Sequence, residues 1–144
     1  GLRFFLPESF ESVNYFGCGP YESYADKHRC SYVSHFSSTV SELHEDYIRP
    51  QENGSHYSCK YAALSDEKHT LTLKGNSFSF NASHYTQEEL ESKAHNFELE
   101  KSGYTVLCAD YRMSGVGSSS CGPELLEAYR LDEKEFTFEL LLKI

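Results

Sequence analysis

The chain has 144 residues and a formal net charge of −9, enough length for one domain with a core of its own. Its 13 Lys and Arg are scattered among 22 Asp and Glu, so no basic cluster follows a phosphate backbone and nucleic acid is excluded as a partner. No apolar run approaches bilayer length and no basic-then-apolar leader opens the sequence, so the expectation is a soluble chain with no membrane partner.

Eleven Tyr and ten Phe, with no Trp, favour pleated, half-buried surfaces. From the N-terminus, 1–6 reads as a strand entered in mid-flow, as in a piece of a longer protein or a processed start. Gly17, Gly19 and Pro20 mark 17–24 as a loop, and Pro50 with Asn53-Gly54 marks 49–54 as another. Tyr57, Cys59 and Tyr61 are expected on one face of a strand. Residues 69–74 and 77–80 alternate around Gly75-Asn76, which predicts a hairpin. Thr86 with Glu89 three residues on predicts a capped helix of two or three turns, lying over a sheet edge. The apolar run 104–109 predicts a strand covered on both sides. Glycines, serines and Pro123 make 114–123 a third loop, and 135–140 alternates as a closing strand. The spacing suggests a sandwich of antiparallel sheets, with function on its loops.

Five cysteines at wide spacing, with no Cys-x-x-Cys pair, fit free thiols in a reducing compartment better than zinc or a disulfide scaffold. Asn53-Gly54-Ser55 and Asn81-Ala82-Ser83 match the N-glycosylation pattern, but the thiols argue against an oxidising route. Seven histidines form no metal-ligand pattern. Ser118-Ser119-Ser120-Cys121 holds nucleophile-type side chains without a Gly-x-Ser-x-Gly elbow or a spaced His, and Cys121 reads better as a pocket-lining residue. Among the carboxylates, Glu88, Glu89 and Glu91 fall on a solvated helix face. Glu22 and Glu52 sit in Gly/Pro turns, where they either close the turn through loop amides or bind a sugar hydroxyl; the structural role weighs more.

These loops carry a resemblance. Val13-Asn14-Tyr15-Phe16-Gly17-Cys18-Gly19-Pro20-Tyr21-Glu22-Ser23-Tyr24-Ala25-Asp26-Lys27 resembles the "N-[WY]-x-G-x-G-P-x-E-N-Y-x-D-R" stretch of the lactose-operon-type β-galactosidases of glycoside hydrolase family two. Tyr47-Ile48-Arg49-Pro50-Gln51-Glu52-Asn53-Gly54 is similar to that family's "Y-x-x-P-[QS]-E-N-G" segment, and Phe78 to Thr86 to its "F-x-F-[NS]-x-S-x-Y-[ST]" segment. Asp110-Tyr111-Arg112-Met113-Ser114-Gly115-Val116-Gly117, followed by Ser120-Cys121-Gly122-Pro123, resembles its last signature.

The resemblance implies an all-β fold, an antiparallel β supersandwich of the galactose-mutarotase-like type with a short helix. Residues 1–144 would be the C-terminal part of that terminal domain in a longer cytoplasmic enzyme. It implies a retaining β-galactosidase whose catalytic glutamates lie in a barrel outside this chain, as do its magnesium and sodium sites. This chain then carries no catalytic residue and no cofactor of its own. Its expected partners are a β-galactoside or monosaccharide, the remaining domains, and copies of the same subunit in a homo-oligomer. Ser120, Cys121 and Gly122 are expected to bind substrate at the aglycone side, with Cys121 standing where some members carry Trp. Glu22, Asp26, Glu52 and Asn53 are expected to hold their loops in shape. Ser23 replaces the usual Asn, and Lys27 replaces an Arg, which removes the guanidinium fork. Two alternatives stay open. One is an aldose 1-epimerase using His56 with Glu52. The other is a carbohydrate-binding module using Tyr21, Tyr24, Tyr111 and Tyr129 as platforms.

Overall fold

The computed structural model describes residues 1–115 and 122–144. Among these residues, seven strands form one antiparallel sheet: β1 (Leu2–Pro7), β2 (Ser12–Gly19), β3 (Tyr32–Thr39), β4 (His56–Ser65), β5 (Thr70–Ser83), β6 (Tyr104–Asp110) and β7 (Leu141–Lys143). Their order in space is β1-β6-β5-β4-β2-β3, with β7 beside the first half of β5. One α-helix, α1 (Gln87–Ser92), stands among the described residues. This is the all-β, antiparallel architecture with a short helix expected from the sequence.

Alternation builds the inner face. Val13, Leu64 and Leu71 fall in one row across β2, β4 and β5, and Tyr15, Ala62 and Leu73 in the next; all six are buried. Phe80, Ala82, Leu107 and Ala109 continue this core across β5 and β6. β6 is buried along 105–109, as its apolar run predicted. Its other face carries Cys108, paired with Asn81 of β5 and covered by α1 and the 49–54 loop.

Four expectations need correction. Gly75-Asn76 is not a turn: β5 runs through it for 14 residues. The β4 register jumps there from Tyr61↔Lys74 to Cys59↔Phe78, so the surplus residues are taken up as a bulge. A short polar pair can bend a strand as readily as reverse it, and β4 running alongside both halves decides for bending. A second irregularity, between His56 and Cys59, holds Ser58 at φ 54°. Together they put Cys59 in the core and Tyr61 on the opposite face beside Phe16 and His35, not on one shared face.

The stretch 17–24 is not all loop, because β2 continues to Gly19. Gly17 is there for close approach, since a Cβ would sit 2.9 Å from the Cys59 Cα. The closing strand is displaced from 135–140 to Leu141–Lys143. Alternation in 135–140 instead tucks Phe138 and Leu140 against the core, while Phe136 stacks on Tyr111.

The predicted cap is present. The Glu89 backbone N–H donates to Thr86 Oγ1 at 3.1 Å. The Glu89 carboxylate accepts from the Glu100 N–H rather than closing a capping box. Arg3 of edge strand β1 donates to Gln87 and Glu88, so α1 lies over that edge as expected.

Candidate functional site

The chain leaves β2 through a cis Gly19-Pro20 peptide and turns back over the sheet at 20–27. Glu22 in this turn is only 6% exposed and accepts four hydrogen bonds. Lys27 Nζ donates to Oε1 at 2.7 Å and the Tyr47 hydroxyl donates to the same oxygen. Tyr24 Oη donates to Oε2 at 2.8 Å and the Gly54 N–H at 3.1 Å. Burial pushes the Glu22 carboxyl up, but the bonds from Lys27, Tyr47, Gly54 and Tyr24 outweigh it and hold it below the ordinary carboxylate value. Burial, then the neighbouring Glu22 charge, raises Tyr24. Lys27 meets Glu22 through one nitrogen and one oxygen, which is all that an ammonium in place of a guanidinium permits here.

Ser23 extends the tie. Its N–H donates to the Ser55 carbonyl at 2.6 Å, its hydroxyl to the Cys18 carbonyl at 3.2 Å, and its oxygen accepts from the Tyr57 N–H at 2.9 Å. The next residues reach the third loop. Ala25 N–H donates to the Met113 carbonyl at 2.9 Å, and Asp26 accepts from the Gly115 N–H. Residues 25–26 therefore grip the chain directly before 116–121.

In the 49–54 loop, Asn53 accepts from the Glu45 N–H at 3.0 Å and donates to the Gln51 carbonyl at 2.9 Å. Gly54 sits at φ +69°, where a Cβ would come within 2.6 Å of the Leu43 carbonyl oxygen. Glu52 Oε1 accepts from Asn81 at 3.2 Å and from Gln87 at 3.3 Å.

His56 does not converge with Glu52. Its ring packs between Tyr15 and Phe80 in the core, with centroids 4.4 and 5.3 Å away, and donates from Nδ1 to the Cys18 carbonyl. Glu52 bonds Asn81, the neighbour of Phe80, whose side chain leaves the other face of β5. The epimerase pairing thus has no common cleft. Of the four tyrosine platforms, Tyr24 is buried, Tyr111 is stacked by Phe136, Tyr129 accepts from Arg29, and Tyr21 is open at 65% exposure.

Ser120 and Cys121 lie outside the described residues; Gly122 is exposed, with open space around it. The four described cysteines are free, three of them buried and Cys30 exposed. Burial pushes the Cys108 thiol up to about 11, and its sulfur accepts from Gln87. Among the described residues no group of three or more His, Cys, Asp or Glu could hold a metal ion, and no helix is long and apolar enough to cross a membrane. Asn81, marked in the sequence only by the glycosylation pattern and the family segment, and Gln87 orient Glu52, a role the sequence did not reveal. Gln87 directly follows the Thr86 cap, and only the fold brings that position over the 49–54 loop.

Comparison with known proteins covers almost the whole chain. Residues 1–142 match the family model described as "Beta galactosidase small chain". A "Beta-galactosidase" of Actinobacillus pleuropneumoniae is 52% identical over 94% of this chain and 13% of its own length. One of Staphylococcus xylosus is 44% identical over 99% of this chain and 14% of its own, and one of Kluyveromyces lactis 35% identical over 96% and 14%. The chain therefore spans about one seventh of the length of these relatives.

Proposed function

Because the chain belongs to the β-galactosidase small-chain family, we propose that it is the terminal accessory part of a longer retaining β-galactosidase acting on terminal β-D-galactosides such as lactose. The observation that carries this reading is near-complete alignment of the chain with about one seventh of each relative. Catalytic carboxylates, and the magnesium and sodium sites, belong to the rest of that polypeptide on this reading. The described residues supply no ion-binding cluster, so no step here runs through those ions. The 144 residues alone would be inactive, and the whole enzyme would work in the cytoplasm as a homo-oligomer.

The chain's contribution is to shape the aglycone side of the active site with Ser120, Cys121 and Gly122. What supports this is the framework that holds the chain leading into 116–121. Glu22 ties 20–27 to 45–54, Asn53 holds 45–54 together, Glu52 ties 49–54 to β5 and α1, and Asp26 with Ala25 grips 113–115. A thiol at 121 offers no aromatic face for a sugar ring, so acceptor sugars are held less firmly than a Trp would hold them. The test is Cys121→Trp in the full-length protein. Tighter glucose binding as acceptor and a higher ratio of transglycosylation to hydrolysis are expected. Unchanged values for both would sink the role given to Cys121.

A further inference from the structure

We propose that the cleft between the 49–54 loop and α1 binds a neutral, monosaccharide-sized polyol. The cleft has a volume of about 420 Å³ and is lined by Arg49, Pro50, Gln51, Glu52, Gln87 and Glu91, a size within the range of small-ligand pockets. Its walls are held before any ligand arrives. Asn53 and Gly54 lock the loop, and Arg3 together with the Thr86 cap locks the helix. Asn81 and Gln87 both donate to Glu52 Oε1, which fixes the carboxylate plane. Oε2 accepts from none of the described residues, which leaves acceptor capacity on a residue that lines the cleft.

Charge narrows the ligand class: two carboxylates, Glu52 and Glu91, disfavour an anion, and the Arg49 guanidinium offsets part of their pull on a cation. Carboxylates, side-chain amides and a guanidinium together present both acceptors and donors. A polyol's hydroxyls satisfy both kinds at once, without carrying charge. Pro50 supplies a small apolar wall in place of an aromatic platform, so affinity on the order of millimolar is expected. The inference goes beyond the galactosidase reading and holds whether or not residues 120–122 touch sugar.

Hydrogen-exchange mass spectrometry on the full-length protein tests it, with galactose and glucose as probes and glycine betaine as a control for osmolyte stabilisation. Either sugar, but not betaine, should slow exchange in peptides covering 49–54 and 87–92. The double variant Arg49→Ala/Glu91→Gln should weaken that protection at least tenfold in sugar concentration. Both side chains are exposed and bond no described residue, so unchanged exchange elsewhere will report an intact fold. No protection at 49–54 and 87–92, or protection that survives the double variant, overturns the proposal. Protection confined to peptides around 113–123 also overturns it, while supporting the aglycone reading instead.

Discussion

The His56 imidazole is 1% exposed, and its Nδ1–H is committed to the Cys18 carbonyl. Its Nε2 has no partner among the described residues, so a second proton would be buried without an acceptor. Burial accordingly lowers its pKa from 6.5 to about 4, against weaker opposing effects of the Cys18 carbonyl and the Glu22 charge. The sign follows from proton binding. Between 6.5 and about 4 the unfolded chain takes up a proton that the folded chain refuses, so stability is lost as pH falls through that window. It levels off below about 4. The gap corresponds to about 3 kcal/mol. Denaturant titrations from pH 7.5 to 4 should therefore show a slope that His56→Phe reduces, since Phe keeps the ring packing against Tyr15 and Phe80, while His44, also lowered by burial, keeps its share. An identical slope in the variant would assign the acid sensitivity elsewhere. Glu22 acts at lower pH: its folded carboxyl lies below the ordinary value, so its contribution is present above that value and lost as pH falls through the folded one.

Among the elements, β2 and β4 show how a strand can carry glycine for packing rather than for turning. Gly17 faces Cys59, whose Cα stands 2.9 Å from where a Cβ would be. Gly17→Ala forces two backbones apart and should cost about 1–3 kcal/mol, the range for overpacked cores. Thermal unfolding of the variant measures this, and an unshifted midpoint would mean that β2 and β4 separate freely. The same position explains a misreading, because glycine and proline together look like a loop in sequence. The hairpin expected at Gly75-Asn76 failed for a related reason. Alternation on both sides of a polar pair is common to a hairpin and to a bulged strand, and only the neighbouring strand separates them. The Thr86 cap and the apolar run of β6 were legible because their causes are local: one hydroxyl and one backbone N–H in the first case, burial on both faces in the second.

At the scale of the molecule, residues 20–27 are bonded both to the 49–54 loop and to 113–115. Asp26 is their link to the chain before 116–121. On the proposed reading, Asp26 is a positioning residue for the aglycone side. In the full-length protein, Asp26→Ala should raise KM for lactose several-fold and change kcat less. Asp26→Asn keeps an acceptor oxygen and should restore most of the loss. Equal falls in kcat for both variants, with KM unmoved, would point to general destabilisation instead.

The sequence by itself determined the all-β class, the capped helix, the doubly covered strand β6 and the family, since these rest on residue alternation, local hydrogen bonding and the order of motifs along one chain. Tertiary structure alone decided that Gly17 packs rather than turns, that β5 bends rather than reverses, and that His56 and Glu52 face apart. It also decided that Gln87 and Asn81 meet over Glu52. Each of these depends on which distant backbone lies alongside, and strand register, which sets the face a side chain takes, is a property of pairs of strands.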